Sequence, residues 1–176
     1  VRFLANRDPQ LHFALLTDFM DAQSEVLEGD APLLQQASLA IKALNLKYPE
    51  AVASRFFLLH RPRRWNATEQ RWMGHERKRG KIAELNALLR GQGHGRFSLI
   101  VGDIAALPRV EYVIALDTDT QLPRDVARQF LGAICHPLNQ ARFDPQHNRI
   151  VSGYAILQPR VGISLPSIAR SAYAQL

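Results

Sequence analysis

The sequence has a single cysteine, Cys135, among its 176 residues. That excludes an intramolecular disulfide and a cysteine-based zinc site, and it fits a reducing compartment in which the thiol is a buried structural group. No apolar run approaches the ~18 residues that cross a bilayer, and the N-terminal residues Val1 to Arg7 lack the apolar segment of a secretory signal. The six histidines (His12, His60, His75, His94, His136 and His147) include no pair at i, i+4 and no H-E-x-x-H pattern, so no histidine metal centre is read. Internal repeats and low-complexity stretches are also missing. The chain starts at Val1 without Met and ends at Leu176 inside an apparent helix, and the expectation is a piece excised from a larger protein.

Apolar residues make up 47% of the chain and charged residues 22%, ordinary globular usage that argues against wholesale disorder, collagen or coiled coil. The length suits one domain over 1–176. Net charge is +6, but residues 55–90 alone carry +7 and the remainder −1. A positive segment in an otherwise balanced chain points to an anionic partner such as phosphate, pyrophosphate or nucleic acid, and the alternative is a solvated basic face.

Short apolar runs alternate with helical patterns. Phe13–Asp18 reads as a buried strand that ends on a carboxylate. Asp30 as N-cap and Pro32 in the first turn open a helix in which Leu33, Leu34, Ala37, Ile41 and Leu44 recur at helical spacing, and Pro49 stops it. Arg55–His60 is a second buried strand, followed by a long basic loop from Arg61 to about Gly80. From Lys81 a second helix carries Ile82, Leu85, Leu88 and Leu89, closed by Gly91, Gly93 and Gly95. Ser98–Gly102 and Tyr112–Leu116 read as two more strands, Pro123 as the start of a helix through Ile134, Asn139–Asn148 as a polar connection and Arg149–Gln158 as a last strand. The alternation predicts an α/β fold with a mostly parallel sheet flanked by helices. Asp18 and the Asp117/Asp119 pair are then expected at one carboxyl edge of the sheet, where open α/β folds bind ligands.

Asp117-Thr-Asp-Thr120 directly after an apolar run offers two carboxylates to a hard divalent ion that already holds phosphate oxygens. The alternative role for both is turn formation and helix capping. Asp18 either contacts a base or ribose or closes a local turn. Lys78-Arg-Gly-Lys81 can hold a diphosphate, since Gly80 admits close backbone approach and a helix start offers free amides. The alternative is a solvated helix start. Trp65 and Trp72 either stack on a sugar or anchor the loop.

Taken together, Leu15-Leu-Thr-Asp18 with Asp21, Arg55-Phe-Phe-Leu-Leu-His-Arg-Pro-Arg-Arg-Trp-Asn66, Trp72-Met-Gly-His-Glu-Arg-Lys-Arg-Gly-Lys81, Leu116-Asp-Thr-Asp-Thr-Gln-Leu-Pro123 and Gly153-Tyr-Ala-Ile-Leu-Gln-Pro-Arg160 closely resemble the glycosyltransferase region of bacterial cyclic β-1,2-glucan synthases, glycosyltransferase family 84. A more distant likeness links the chain to the glucosyltransferases of linear periplasmic glucans and to cellulose synthases. The resemblance implies a GT-A, Rossmann-like fold that uses UDP-glucose and a divalent metal, Mn²⁺ or Mg²⁺, in an inverting transfer to a growing β-glucan acceptor. By matched position, Asp18 contacts the uridine, Lys78 with Gly80 lies at the diphosphate, and Asp117 with Asp119 binds ribose and metal. Lys81 stands where the distant relatives have Asn. Gln158 to Arg160, with Trp72, falls on the acceptor side.

The family also has an apolar strand ahead of Val1 and a catalytic-base aspartate after Leu176. The resemblance therefore implies that this stretch is inactive alone and works within a larger synthase at the cytoplasmic face of the bacterial inner membrane. Two competing readings come from other classes. A haloacid-dehalogenase-like phosphotransferase is suggested by Asp117-Thr-Asp-Thr120, although the threonine falls one position early. A nucleic-acid-binding module is suggested by the basic 55–90 segment, against which Phe56 and Phe57 fall in a strand read as buried and no RNP-like or helix-turn-helix pattern is present.

Overall fold

The computed structural model describes residues 2–50, 54–160 and 162. The chain divides into two compact units: Phe3 and Arg7–Thr118 belong to the first, and Arg2, Leu4–Asn6 and the chain from Asp119 belong to the second.

In the first unit the continuous apolar run Phe56-Phe-Leu-Leu59 forms the central strand of a three-stranded sheet. β1 (Phe13–Asp18) pairs with β2 (Phe56–Arg61) in parallel, and β2 pairs on its other side with the antiparallel β5 (Leu99–Val101). Because side chains alternate across a strand, Phe57 and Leu59 face one way and Phe56 and Leu58 the other. Both faces are covered. Phe57 and Leu59 pack with Leu88, Phe97 and Leu107 beneath α3 (Arg77–Leu89), whereas Phe56 and Leu58 pack with Ile41 and Val101 beneath α2 (Asp30–Lys47). The four apolar side chains of β2 are buried, each worth about 1.5–3 kcal/mol of transfer free energy. The result is a helix–sheet–helix sandwich.

Several expectations need correction. The sheet is mixed rather than mostly parallel. β5 returns antiparallel, and Tyr112–Leu116 forms no strand, with Tyr112, Val113 and Ile114 exposed. β1 is an edge strand with Ala14 and Leu15 exposed, not a buried one. The basic stretch after Arg61 is not a structureless loop. It folds into the hairpin β3 (Arg64–Asn66) and β4 (Arg71–Met73), with Trp65 opposite Trp72. The following helix begins at Arg77, four residues before Lys81, after Glu76 and Arg77 both take positive φ.

The helix from Asp30 has the expected length, but Gly29 is its N-cap residue, and Asp30 turns back to accept from the Leu27 amide at 2.8 Å. Buried Arg63 fixes this turn. It forks onto Asp30, with Nη2 to Oδ1 at 3.1 Å, donates to the Met20 carbonyl at 2.6 Å and lies over the Phe19 ring.

The second unit is built around Asn6. Its amide donates to the Leu122 and Pro123 carbonyls at 3.4 and 2.9 Å, and its Oδ1 accepts from the Ala127 amide at 3.1 Å. A side chain far away in sequence thus supplies the cap of α4 (Val126–Cys135). The last strand is shorter than its sequence pattern. β6 (Arg142–Asp144) pairs antiparallel with β7 (Arg149–Ser152), and Gly153, at positive φ, ends β7. A β-carbon there would collide with the Gln140 carbonyl. Cys135 is half-buried and free. The helix read toward Leu176 lies outside the described residues.

Candidate functional site

Asp18 and Arg61 are the last residues of β1 and β2, and the parallel register places them directly opposite each other. Their side chains meet in a two-point ion pair: Arg61 Nε donates to Asp18 Oδ1 at 2.7 Å and Nη2 to Oδ2 at 3.0 Å. Arg61 is 2% exposed, so this is a buried pair at the carboxyl end of the two strands. Its other contacts come from α3. Nη2 also donates to the Arg77 carbonyl at 3.2 Å, and Nη1 lies 3.3 Å from the buried Glu84 carboxylate without hydrogen-bond alignment. Arg61 is buried, which favours its neutral form, but the hydrogen bonds and charges of Asp18 and Glu84 outweigh that and raise its pKa further above an already high value. The guanidinium is permanently charged.

Two glycines let the 74–80 segment sit against this pair. A β-carbon on Gly74 would lie 2.6 Å from the Asp18 carboxyl carbon, and one on buried Gly80 would collide with the His75 carbonyl and lie 3.0 Å from Arg61 Nη1. Gly80 thus faces the chain's own backbone and the Arg61 guanidinium. The first turn of α3 then carries Lys78, with Lys81 one turn on. Lys81 Nζ reaches Asp18 Oδ2 at 3.4 Å, and Lys78 Nζ reaches Asp117 Oδ1 at 2.5 Å. Both partners of the Lys78–Asp117 pair are well exposed.

The start of α3 is electrostatically unusual. Cations are normally disfavoured at a helix N-terminus, yet the first turn has three consecutive basic residues, no acid and no side-chain cap. Arg77 is held between Asp21 at 2.9 Å and Glu69 at 3.0 Å, which raises its pKa, the Asp21 charge most of all. Arg79 pairs with Glu76. Exposed cations, a helix start without a side-chain cap and two residues at positive φ make this turn a site suited to an anion.

The structure therefore brings together four of the residues singled out from sequence: Asp18, Lys78, Lys81 and Asp117. It places Gly80 among them as a packing residue. Asp119 belongs to the second unit and is exposed, as are Gln158 and Arg160 in the segment after Gly153. Trp72 is half-buried and bonded through its backbone in both directions to Ala22, each at 2.9 Å. Among the described residues no group of three or more His, Cys, Asp or Glu side chains is arranged to hold a metal ion.

Sequence reasoning missed Arg61 and Glu84. Glu84 lies one turn before Leu88 on the buried face of α3, and a carboxylate at that position signals a buried cation nearby. His60 was also passed over. Its ring is buried against Phe19, its Nδ1 is 2.9 Å from Thr17 Oγ1, and its Nε2 has no hydrogen-bond partner among the described residues. Burial lowers its pKa below the ordinary histidine value, against the opposing pull of Asp18 and Asp30.

Over 165 residues the chain is 43% identical to cyclic beta-(1,2)-glucan synthase NdvB of Rhizobium meliloti (strain 1021). The chain is similar to a segment of a cyclic glucan synthase. The alignment covers 94% of this chain and 6% of the relative, so the chain spans only a small fraction of that protein's length. No protein-family model matches the chain. The likeness read from the motifs agrees with this relationship. No helix among the described residues is long and apolar enough to cross a membrane.

Proposed function

We propose that this chain supplies the donor side of a glucosyltransferase that builds β-1,2-glucan from UDP-glucose with inversion at the anomeric carbon. The observation that carries the proposal is the pair of contacts that α3 makes beside the Asp18–Arg61 ion pair at the carboxyl end of β1 and β2, Lys81 with Asp18 and Lys78 with Asp117. The relative's name supports glucan as product.

In this reading Asp18, oriented by Arg61, accepts from the uracil or ribose through lone pairs that Arg61 leaves open. Lys78 and the start of α3 hold the diphosphate. The Asp-x-Asp sequence pair Asp117 and Asp119 is assigned to a divalent ion, Mn²⁺ or Mg²⁺, because such ions take one or two protein carboxylates and complete their shell with phosphate oxygens and water. When bound, it would offset charge on the departing diphosphate. An acceptor hydroxyl attacks C1 of the glucose, the C1–O bond to UDP breaks, UDP leaves with the electron pair, and the hydroxyl proton passes to a general base not assigned among these residues. Lys78 stabilises the leaving group electrostatically. Gln158, Arg160 and Trp72 are assigned to the acceptor side. The work takes place within a larger synthase at the cytoplasmic face of a bacterial inner membrane.

The test is glucosyl transfer by the full-length synthase carrying this chain. Asp117→Asn, Asp119→Asn and Lys78→Ala should each lower the transfer rate by about 10²-fold or more, the scale of removing one transition-state charge contact. Transfer at the unmodified rate in Lys78→Ala would overturn the assignment.

A further inference from the structure

The two tryptophans of the β3–β4 hairpin face each other across the strands, with ring centroids 6.0 Å apart at 61°. Their surroundings differ. Trp72 is half-buried and tied by its backbone to Ala22, which accounts for it as an anchor. Trp65 is 48% exposed and lies on a shallow cavity of about 180 Å³ that it lines with Arg64, Asn66, Ala67, Met73 and His75.

Asn66 shapes the floor of this cavity and is already committed. Its amide lies 3.3 Å from the Met73 sulfur, and its Oδ1 accepts from the Thr68 and Glu69 amides. Arg64 and His75 are different: both are exposed, and neither side chain makes a hydrogen bond or ion pair among the described residues. The cavity thus presents a partly exposed indole, an apolar floor at Met73 and two uncommitted polar side chains above it. An indole left half in water forgoes transfer free energy that burial would supply, and tryptophan in such a position is characteristic of recognition surfaces.

We propose that Trp65 and this cavity form a binding subsite for a single sugar ring of the β-glucan, separate from the nucleotide site. The chemistry favours a sugar. One face of a pyranose is a patch of C–H groups that lies flat on an indole, and its hydroxyls accept from a guanidinium and exchange hydrogen bonds with an imidazole. The volume suits one ring and not a nucleoside diphosphate, and the committed Asn66 leaves no amide to read a base edge. The identity of the ligand as a glucan rests on the proposed function, whereas the subsite itself rests on the cavity.

The chain has only two tryptophans, so the two indole N–H resonances of the full 176-residue protein report on this region. They are assigned with Trp65→Phe and Trp72→Phe. Titration with a short β-1,2-linked glucose oligosaccharide should move the Trp65 resonance saturably, with a smaller change at Trp72. Calorimetry of the same oligosaccharide should lose its signal in Trp65→Ala, retain a weakened one in Trp65→Phe, and be unchanged in Lys78→Ala, with thermal melts checking that each variant is folded. A Trp65 resonance unmoved by oligosaccharide overturns the subsite; if UDP still binds in the presence of Mn²⁺, the donor-site reading survives that failure. A Trp65 resonance moved by UDP and not by oligosaccharide assigns the cavity to nucleotide and equally overturns the proposal.

Discussion

Arg61 holds Asp18 at two points, Nε to Oδ1 at 2.7 Å and Nη2 to Oδ2 at 3.0 Å, across a parallel register in which the two residues are direct neighbours. The same guanidinium contacts the Arg77 carbonyl and Glu84 of α3. It therefore fixes both the carboxylate assigned to uridine and the helix that carries Lys78 and Lys81.

Removing one partner of this pair leaves an uncompensated buried charge, which typically costs about 3–5 kcal/mol. Asp18→Ala should lower the unfolding free energy by about that amount in urea titrations. Arg61→Met should do likewise, and the double variant Arg61→Met with Glu84→Gln should cost clearly less than its two single variants combined, because the groups share one network. Additive costs would mean that Arg61 and Glu84 do not interact.

Gly80 and Gly132 make a contrasting pair, both inside helices. Gly80→Ala drives a methyl group into the His75 carbonyl, whereas Gly132→Ala, in α4, meets nothing within 4 Å. The first should destabilise by at least about 1–3 kcal/mol, the range of overpacking, and detach the start of α3. The second should stabilise by roughly 0.5–1 kcal/mol through helix propensity. Thermal melts of the two variants check both signs.

Stability should depend on pH through His60. Burial holds its folded pKa below the unfolded value of about 6.5, so the unfolded state binds more protons between the two values. The stabilising contribution is complete above about pH 6.5 and is lost as pH falls from there through the folded pKa. Asp30, lowered chiefly by its hydrogen bond from Arg63, acts with the same sign in a separate window below its ordinary value of 3.8. Urea midpoints measured between pH 7.5 and 4.5 should fall for the parent chain, and His60→Gln should flatten that slope; equal slopes in the two would exclude His60 as the source.

The long-range plan of the first unit was legible because its signals are redundant. β1 has the bounds of its apolar run, and α2 is framed by Asp30, Pro32 and Pro49. The hairpin was hidden because its strands have three residues each and its turn, Ala67-Thr-Glu-Gln70, carries none of the Asn-Gly or Gly-X signals of tight hairpins. Tyr112–Leu116 failed as a strand for the opposite reason: its composition favours β structure, but pairing depends on a neighbouring strand that the described residues do not supply. The start of α3 was misplaced because Arg77, Lys78 and Arg79 oppose the helix dipole, so local preference argued against the helix that forms there. Asp18, Lys78 and Asp117 were legible as candidates because they stand at the end of an apolar run or in the basic segment, and the structure pairs Lys78 with Asp117. Arg61 was not, because one basic residue at the end of a buried strand looks like any strand terminus until its partners are brought to it.

The central claim is that the Asp18–Arg61 end of the sheet and the start of α3 bind a nucleoside diphosphate with a divalent ion. The most direct measurement is calorimetric titration of UDP into the folded chain with Mn²⁺, with Mg²⁺ and with chelator, repeated on Lys78→Ala, Asp117→Asn and Asp119→Asn. The account predicts metal-dependent binding that weakens by at least about tenfold, or roughly 1.4 kcal/mol, in each variant. UDP binding of equal strength in chelator and in all three variants would contradict it.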